Sequence, residues 1–138
     1  MTYVFNVLIT ARSFGFASGE AMDAFKNNHA IKVVKLDHTV AFNEQEMYNL
    51  VPGQDAVIVG TDKITKKVIA GVDRLKVISK HGVGVDNVDI AAATEAGIIV
   101  TNLLGINNRA LVSTKYSQSG TYNCCRIYGR SGRHSQIQ

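Results

Sequence analysis

Short runs of apolar, largely β-branched residues recur along the first hundred residues of the chain. They occupy residues 4–9, 31–34, 56–59, 77–78 and 98–100, and several are apolar at consecutive positions. A strand needs this pattern when helices cover both faces of its sheet. The runs therefore predict buried strands, and parallel ones by preference.

Between these runs, apolar residues recur at the spacing of an amphipathic helix. The residues that share a helix face are Ala21, Met22 and Phe25; Met47, Leu50 and Val51; and Val68, Ile69 and Val72. Asn43 followed by Glu46 predicts a capping box at the start of the second helix. An alanine-rich fourth helix over residues 89–96 is expected to end at Gly97, because glycine tolerates the left-handed conformation that follows many helices.

Strands and helices thus alternate, which predicts an α/β fold with a doubly wound parallel sheet of about five strands. The length of 138 residues corresponds to one domain. After Asn108 the periodicity ends, and 14 of the 26 residues from 113 to 138 are Ser, Thr, Asn, Gln or Gly. We expect residues 111–138 to form a disordered or out-of-frame tail.

Composition and charge narrow the class of protein. With 46% apolar and 19% charged residues, the chain is neither collagen-like nor a coiled coil, and no apolar run approaches the roughly 20 residues of a membrane span. The N-terminus lacks the basic region of a signal peptide, so a cytoplasmic location is expected. The net charge of +4 comes from residues 101–138, which contain five basic residues and no acidic one. Since no folded element positions these basic residues, we do not expect nucleic-acid binding.

Three loops lie at the predicted carboxyl ends of strands, where open α/β sheets bind ligands. They are residues 10–15, 60–63 and 80–86. In the third loop, Gly82 and Gly84 free the backbone to bend, so the amides of Val83 and Gly84 could hold a small carboxylate. Lys80 and His81 add donors beside them.

Structural explanations remain open for these residues. A glycine turn between a strand and a helix is more often structural than functional, and Arg12 alone could be a surface cation. The loop begins like a dinucleotide-binding motif, but Asn87 stands where the third glycine would be. His29, His38 and His134 show no metal-ligand spacing and are expected at the surface.

The long segment KVISKHGVGVDNVD at residues 76–89, with its continuation to Asn102, resembles the D-2-hydroxyacid dehydrogenase family, especially its D-3-phosphoglycerate dehydrogenase-like members. ITARSFG at residues 9–15 and DAVIVGTDKIT at residues 55–65 support the likeness. The resemblance implies a flavodoxin-like substrate-binding domain over residues 1–110. Family members are NAD-dependent oxidoreductases that act on the CH–OH group of a D-2-hydroxy acid.

The resemblance also assigns substrate-binding residues. The backbone at Gly82, Val83 and Gly84 would hold the carboxylate of a small 2-hydroxy or 2-keto acid, and Lys80, His81 and Arg12 would lie near it. Two further residues, Asn102 and Asn107, match the segment that leads into the interdomain helix. Lactate, glycerate and phosphoglycerate all remain open as substrates, because Arg12 and Lys63 leave room for a phosphate.

The sequence first departs from the family at residue 104 and loses the likeness at residues 110–113, where the interdomain helix would begin. Leu104 replaces a proline, and no nucleotide-binding domain, substrate arginine or histidine–glutamate pair follows. We therefore expect a truncated or frameshifted product with no catalytic, cofactor-binding or metal-binding residues. It should bind NAD weakly if at all, be inactive alone, and self-associate through an uncovered interdomain face. The alternatives are a freestanding carboxylate-binding module or a partner of an intact subunit.

Overall fold

The chain folds around a sheet whose first five strands are parallel. A computed structural model describes residues 4–15, 19–82, 84–103, 125–128 and 134–136. The strands are β1 Phe5–Ile9, β2 Ile31–Lys35, β3 Ala56–Val59, β4 Val77–Lys80, β5 Ile99–Leu103, β6 Cys125–Tyr128 and β7 His134–Gln136. The helices are α1 Glu20–Lys26, α2 Glu44–Leu50, α3 Lys66–Ala70 and α4 Ile90–Glu95.

The strands lie in the order β2-β1-β3-β4-β5-β6-β7. The first five, in the order 2-1-3-4-5, form the flavodoxin-like doubly wound arrangement, which confirms the predicted fold class. The strand order reverses between β1 and β3, and the carboxyl ends of these two strands mark the place where such sheets bind ligands.

Alternate residues of the central strands enter two separate apolar clusters, one on each face of the sheet. Leu8, Val57 and Val59 belong to the larger cluster, together with Met47 of α2. Ile58, between the two β3 valines, belongs to the smaller cluster on the other face. Helices therefore cover both faces, as the consecutive apolar positions predict.

Two predicted helix boundaries, the start of α2 and the end of α4, are confirmed. The side chain of Asn43 accepts a hydrogen bond from the Glu46 amide at 2.9 Å, and the Glu46 carboxylate accepts one from the Asn43 amide at 2.8 Å, which confirms the capping box. The fourth helix ends before Gly97, whose φ of +76° lies in the left-handed region. By contrast, α3 ends at Ala70, so Val72 lies outside the helix whose face it was expected to share.

Strands β6 and β7 were not predicted. β6 pairs antiparallel with β5, and β7 pairs antiparallel with β6. Pairing along a sheet edge uses backbone N–H and C=O groups rather than side chains. These strands can therefore form without the alternation of apolar residues by which strands are predicted from sequence. The segments that form β6 and β7 are not disordered, although disorder is expected for residues 111–138 from the sequence. The other residues of 111–138 lie outside the described residues. In the described part of the chain, no helix is long and apolar enough to cross a membrane.

Candidate substrate-binding cleft

An open cleft of about 690 Å³ lies at the carboxyl ends of β1, β3 and β4. All three loops expected to bind a ligand contribute to it: Thr10, Arg12 and Ser13 from the first, Gly60 to Lys63 from the second, and Lys80 to Asn87 in part from the third. The topology brings these loops together because parallel strands end at the same edge of the sheet.

Asp62 forms the floor of the cleft with a carboxylate that is almost completely buried, at 1% exposure. It accepts hydrogen bonds from the Thr10 hydroxyl at 2.7 Å, the Phe42 amide at 2.8 Å and the Gly60 amide at 3.3 Å. These donors satisfy a charge that would otherwise be costly to bury. Asp62 was not predicted as a site residue, because two of its donors, Thr10 and Phe42, lie far away along the chain.

His38 lies against Asp62, and the expectation that it is a surface residue is wrong. Its side chain is 9% exposed, and its Nε2 atom lies 3.5 Å from Oδ1 of Asp62. The ring stacks on Phe42 with centroids 4.1 Å apart and an angle of 18° between the planes. Histidine is buried here because the fold supplies a carboxylate and an aromatic face that sequence spacing does not reveal. The other two histidines differ: His29 is exposed, and the side chain of His134 is not described.

Lys80 is also buried, at 7% exposure, although it lines the cleft. Its ammonium donates hydrogen bonds to the Gly60 carbonyl and, at 3.0 Å, to Oδ1 of Asn87. Burial lowers the pKa of Lys80 below its ordinary value of 10.5, and the carboxylates of Asp62 and Asp86 oppose this shift. Much of the hydrogen-bonding capacity of Lys80 is therefore used within the protein.

Asn87 joins the loop after β3 to the loop after β4. Its Nδ2 atom donates to the carbonyl oxygens of Gly60 and Asp62 at 3.0 and 2.6 Å, and its Oδ1 accepts from Lys80. This residue stands where a dinucleotide-binding motif would have its third glycine. The sequence shows the substitution, but the contacts that the amide side chain makes there are visible only in the folded chain.

The glycine loop itself is held to both neighbouring strands. The His81 amide donates to the Val59 carbonyl at 2.8 Å, and the Leu103 amide donates to the Gly82 carbonyl at 2.9 Å. Gly82 has a φ of +153°, which disfavours any residue with a side chain. Gly84 is exposed and lines the cleft, whereas Val83 lies outside the described residues.

The imidazole of His81 packs edge-on against Phe14, with ring centroids 5.6 Å apart. Burial, and secondarily the charge of Lys80, lower the pKa of His81 below its ordinary value of 6.5. The ring is therefore neutral at pH 7, where it can donate or accept a hydrogen bond without adding charge.

Arg12 and Lys63 are exposed cations on the wall of the cleft. The Arg12 guanidinium also donates a hydrogen bond to the Thr39 carbonyl. Of the other expected site residues, Asn102 is buried in β5 and does not line the cleft. Asn107 lies outside the described residues. The structure thus gathers Arg12, Lys80, His81, Gly82 and Gly84 in one place.

The described residues of this loop do not fit a dinucleotide. The pyrophosphate of such a cofactor normally lies on free amides at a helix N-terminus. Here the N-cap residue of α4, Asp89, places its own carboxylate on the Ala92 amide at 2.9 Å. Asp86 lines the cleft nearby and would repel a phosphate, and Asn87 fills the position of the third glycine.

Comparison with known proteins identifies the family. Residues 7–115 match the D-isomer specific 2-hydroxyacid dehydrogenase family, catalytic domain. The chain is 35% identical over 99 residues to D-3-phosphoglycerate dehydrogenase of Synechocystis sp., and the match covers 69% of this chain and 18% of that protein. It is 38% identical over 91 residues to the enzyme of the same name from Archaeoglobus fulgidus, covering 65% of this chain and 16% of the relative. The chain therefore spans less than a fifth of the length of these two relatives.

Solved structures agree on the fold. The TT0316 protein from Thermus thermophilus superimposes with a TM-score of 0.63 at 27% identity, covering 84% of this chain and 41% of that one. An NAD⁺-bound 3-phosphoglycerate dehydrogenase from Entamoeba histolytica gives a TM-score of 0.65 at 22% identity, covering 80% and 36%. The chain therefore belongs to the D-isomer specific 2-hydroxyacid dehydrogenase family, and residues 7–115 correspond to its catalytic domain.

Proposed function

We propose that the cleft binds the carboxylate of a small 2-hydroxy or 2-keto acid, as part of an NAD-dependent oxidoreductase that acts on the CH–OH group of D-2-hydroxy acids. One observation carries this proposal: the glycine loop after β4 opens into the same cleft as the cations of Arg12 and Lys63. A carboxylate needs both backbone donors and nearby positive charge, and charge-assisted hydrogen bonds are the stronger kind.

Each group has a distinct part in this proposal. A Cβ atom at Gly84 would meet nothing within 4 Å, so there is open space for an anion beside the backbone of this residue. Arg12 and Lys63 attract the acid and balance its charge. His81 offers a neutral ring to the hydroxyl or keto oxygen. Asp62, Lys80 and Asn87 hold the loops in place rather than bind the acid.

Oxidation of the acid would also need a nicotinamide held against the substrate carbon and a group that carries a proton. We assign no nicotinamide site to the described residues, because the glycine loop does not fit a dinucleotide. The polypeptide of these 138 residues is expected to bind the acid without reducing NAD⁺. Mixing the purified chain with D-glycerate and NAD⁺ tests this, and a sustained rise in NADH absorbance would contradict it.

The binding site is tested by calorimetric titration of the chain with D-lactate and D-glycerate. Arg12→Gln and Lys63→Gln should each weaken binding by about threefold to tenfold, since each removes one charged partner. Lys76→Gln is the matched control, because Lys76 is exposed before the amino end of β4, at the other edge of the sheet. Equal affinity in all three variants would refute the site.

Gly84→Val tests the backbone contact separately. A Cβ atom at Gly84 would meet nothing within 4 Å, so the folded protein has room for it. The valine side chain would occupy the space that a carboxylate bound to the Gly84 amide needs. We therefore expect the affinity to fall about tenfold, which is the equivalent of one good hydrogen bond. A variant that keeps both its stability and its affinity would place the ligand elsewhere.

A further inference from the structure

The charges that line the cleft are nearly balanced. Three cations, Arg12, Lys63 and Lys80, face two carboxylates, Asp62 and Asp86. The remaining titratable group among the described lining residues, His81, is neutral at pH 7 because its pKa is lowered. The described residues that line the cleft therefore carry the formal charge of a single excess cation.

The two charged groups in the floor of the cleft, Lys80 and Asp62, already have hydrogen-bond partners within the protein. Lys80 donates to the Gly60 carbonyl and to Asn87, and it lies close enough to Asp62 for that carboxylate to affect its titration. Asp62 in turn accepts from three donors. These two charges offset each other, and neither is free to pair fully with a ligand.

Asp86 differs from Asp62 because it is exposed. It follows the glycine loop directly and lines the same cleft. A ligand held by that loop meets one carboxylate at its edge, and repulsion grows with the charge that the ligand carries. A phosphate group brings about −1.5 to −2 at pH 7, in addition to the −1 of the carboxylate.

We propose that the cleft selects monoanionic 2-hydroxy or 2-keto acids, whose remaining groups are uncharged, over phosphorylated acids of the same skeleton. This selectivity rests on the proposed carboxylate site and adds the substrate class to it. One excess cation balances one carboxylate, whereas a phosphorylated acid would bring close to three negative charges beside Asp86.

The test is a pair of calorimetric titrations of the full chain with D-glycerate and 3-phosphoglycerate at about 0.15 M salt, where long-range charge effects are screened. These acids differ only by the phosphate. We expect D-glycerate to bind more tightly than 3-phosphoglycerate. Equal or tighter binding of 3-phosphoglycerate would overturn the selectivity while keeping the carboxylate site. Absence of binding by both acids would refute the site and the selectivity together.

Asp86→Asn tests the cause of the selectivity. Because Coulomb energy scales with ligand charge, the variant should gain about threefold or more in affinity for 3-phosphoglycerate relative to its gain for D-glycerate. Glu95→Gln removes the same charge from the exposed last residue of α4, the end away from the cleft loop, and should change neither affinity. An equal gain for both acids, or the same gain in Glu95→Gln, would overturn the role of Asp86.

Discussion

Asn87 connects the two loops that form most of the cleft wall, through hydrogen bonds to Gly60, Asp62 and Lys80. Replacing it with alanine leaves two carbonyl groups and a buried ammonium each short of a partner. We expect Asn87→Ala to lower the free energy of unfolding by about 2–3 kcal/mol, measured by urea denaturation.

Asn49→Ala provides the matched control for this change. Asn49 is exposed on α2 and accepts only a long bond of 3.4 Å from Gln45. Its replacement should stay within about 0.5 kcal/mol of the parent. Equal effects of the two substitutions would show that Asn87 does not join the loops in solution.

His81 should make stability depend on pH. Since its pKa in the folded protein lies below 6.5, the unfolded chain takes up a proton at this position first as the pH falls. The contribution of His81 to the free energy of unfolding therefore falls as the pH decreases through 6.5, whereas well above 6.5 the ring is neutral in both states and adds no slope. His81→Gln removes this contribution, so its urea midpoint should change less than that of the parent between about pH 8 and about pH 5. A steeper change in the variant would contradict the direction of the shift.

The elements of the domain follow closely from the sequence pattern, because each is determined by neighbouring residues. The capping box at Asn43 and the stop at Gly97 depend on contacts within a single turn. The early end of α3 is different. A Cβ atom at Gly71, the residue after α3, would lie 2.6 Å from the ring of Tyr48 on α2, so any larger residue there would force that ring to move. That requirement comes from another helix and cannot be read from local periodicity.

Gly97 provides a prediction at this scale. Its φ of +76° is one that a residue with a Cβ atom adopts at a cost of about 1–2 kcal/mol. Gly97→Ala should therefore lower the free energy of unfolding by about that amount. Gly84→Ala, at a position with open space around the Cβ, should change it by less than about 0.5 kcal/mol. Equal stability of the two variants would contradict the left-handed conformation.

For the whole molecule, the sequence predicts the α/β architecture and the edge of the sheet that holds the cleft. It also predicts Arg12, Lys80, His81, Gly82 and Gly84 as residues of that cleft. It does not predict the network in the floor, because Thr10, His38 and Asp62 come from three separate connections and meet only in the folded chain. A polar residue far from its partners has no sequence signal comparable to apolar periodicity.

The antiparallel strands affect the whole sheet, since β6 covers an edge of β5 that would otherwise be open. Removing residues 104–138 should expose that edge and promote association between copies, because unpaired edges pair readily with other chains. Sedimentation velocity should show larger species at higher concentration for the shortened protein than for the full chain. If both sediment alike and unfold at the same urea concentration, β6 does not protect the edge.

If the cleft binds an acid as proposed, the hydrogen bond from Arg12 to Thr39 affects how tightly the acid is held. A free arginine loses about 2 kcal/mol of rotamer entropy when it becomes ordered around a ligand. The bond to Thr39 restricts the guanidinium during folding, so part of that loss would precede binding, and the other donors of the guanidinium would remain for the acid. The acceptor is a backbone carbonyl, which every amino acid has. Substitution of Thr39 by another amino acid would therefore leave this hydrogen bond to Arg12 in place.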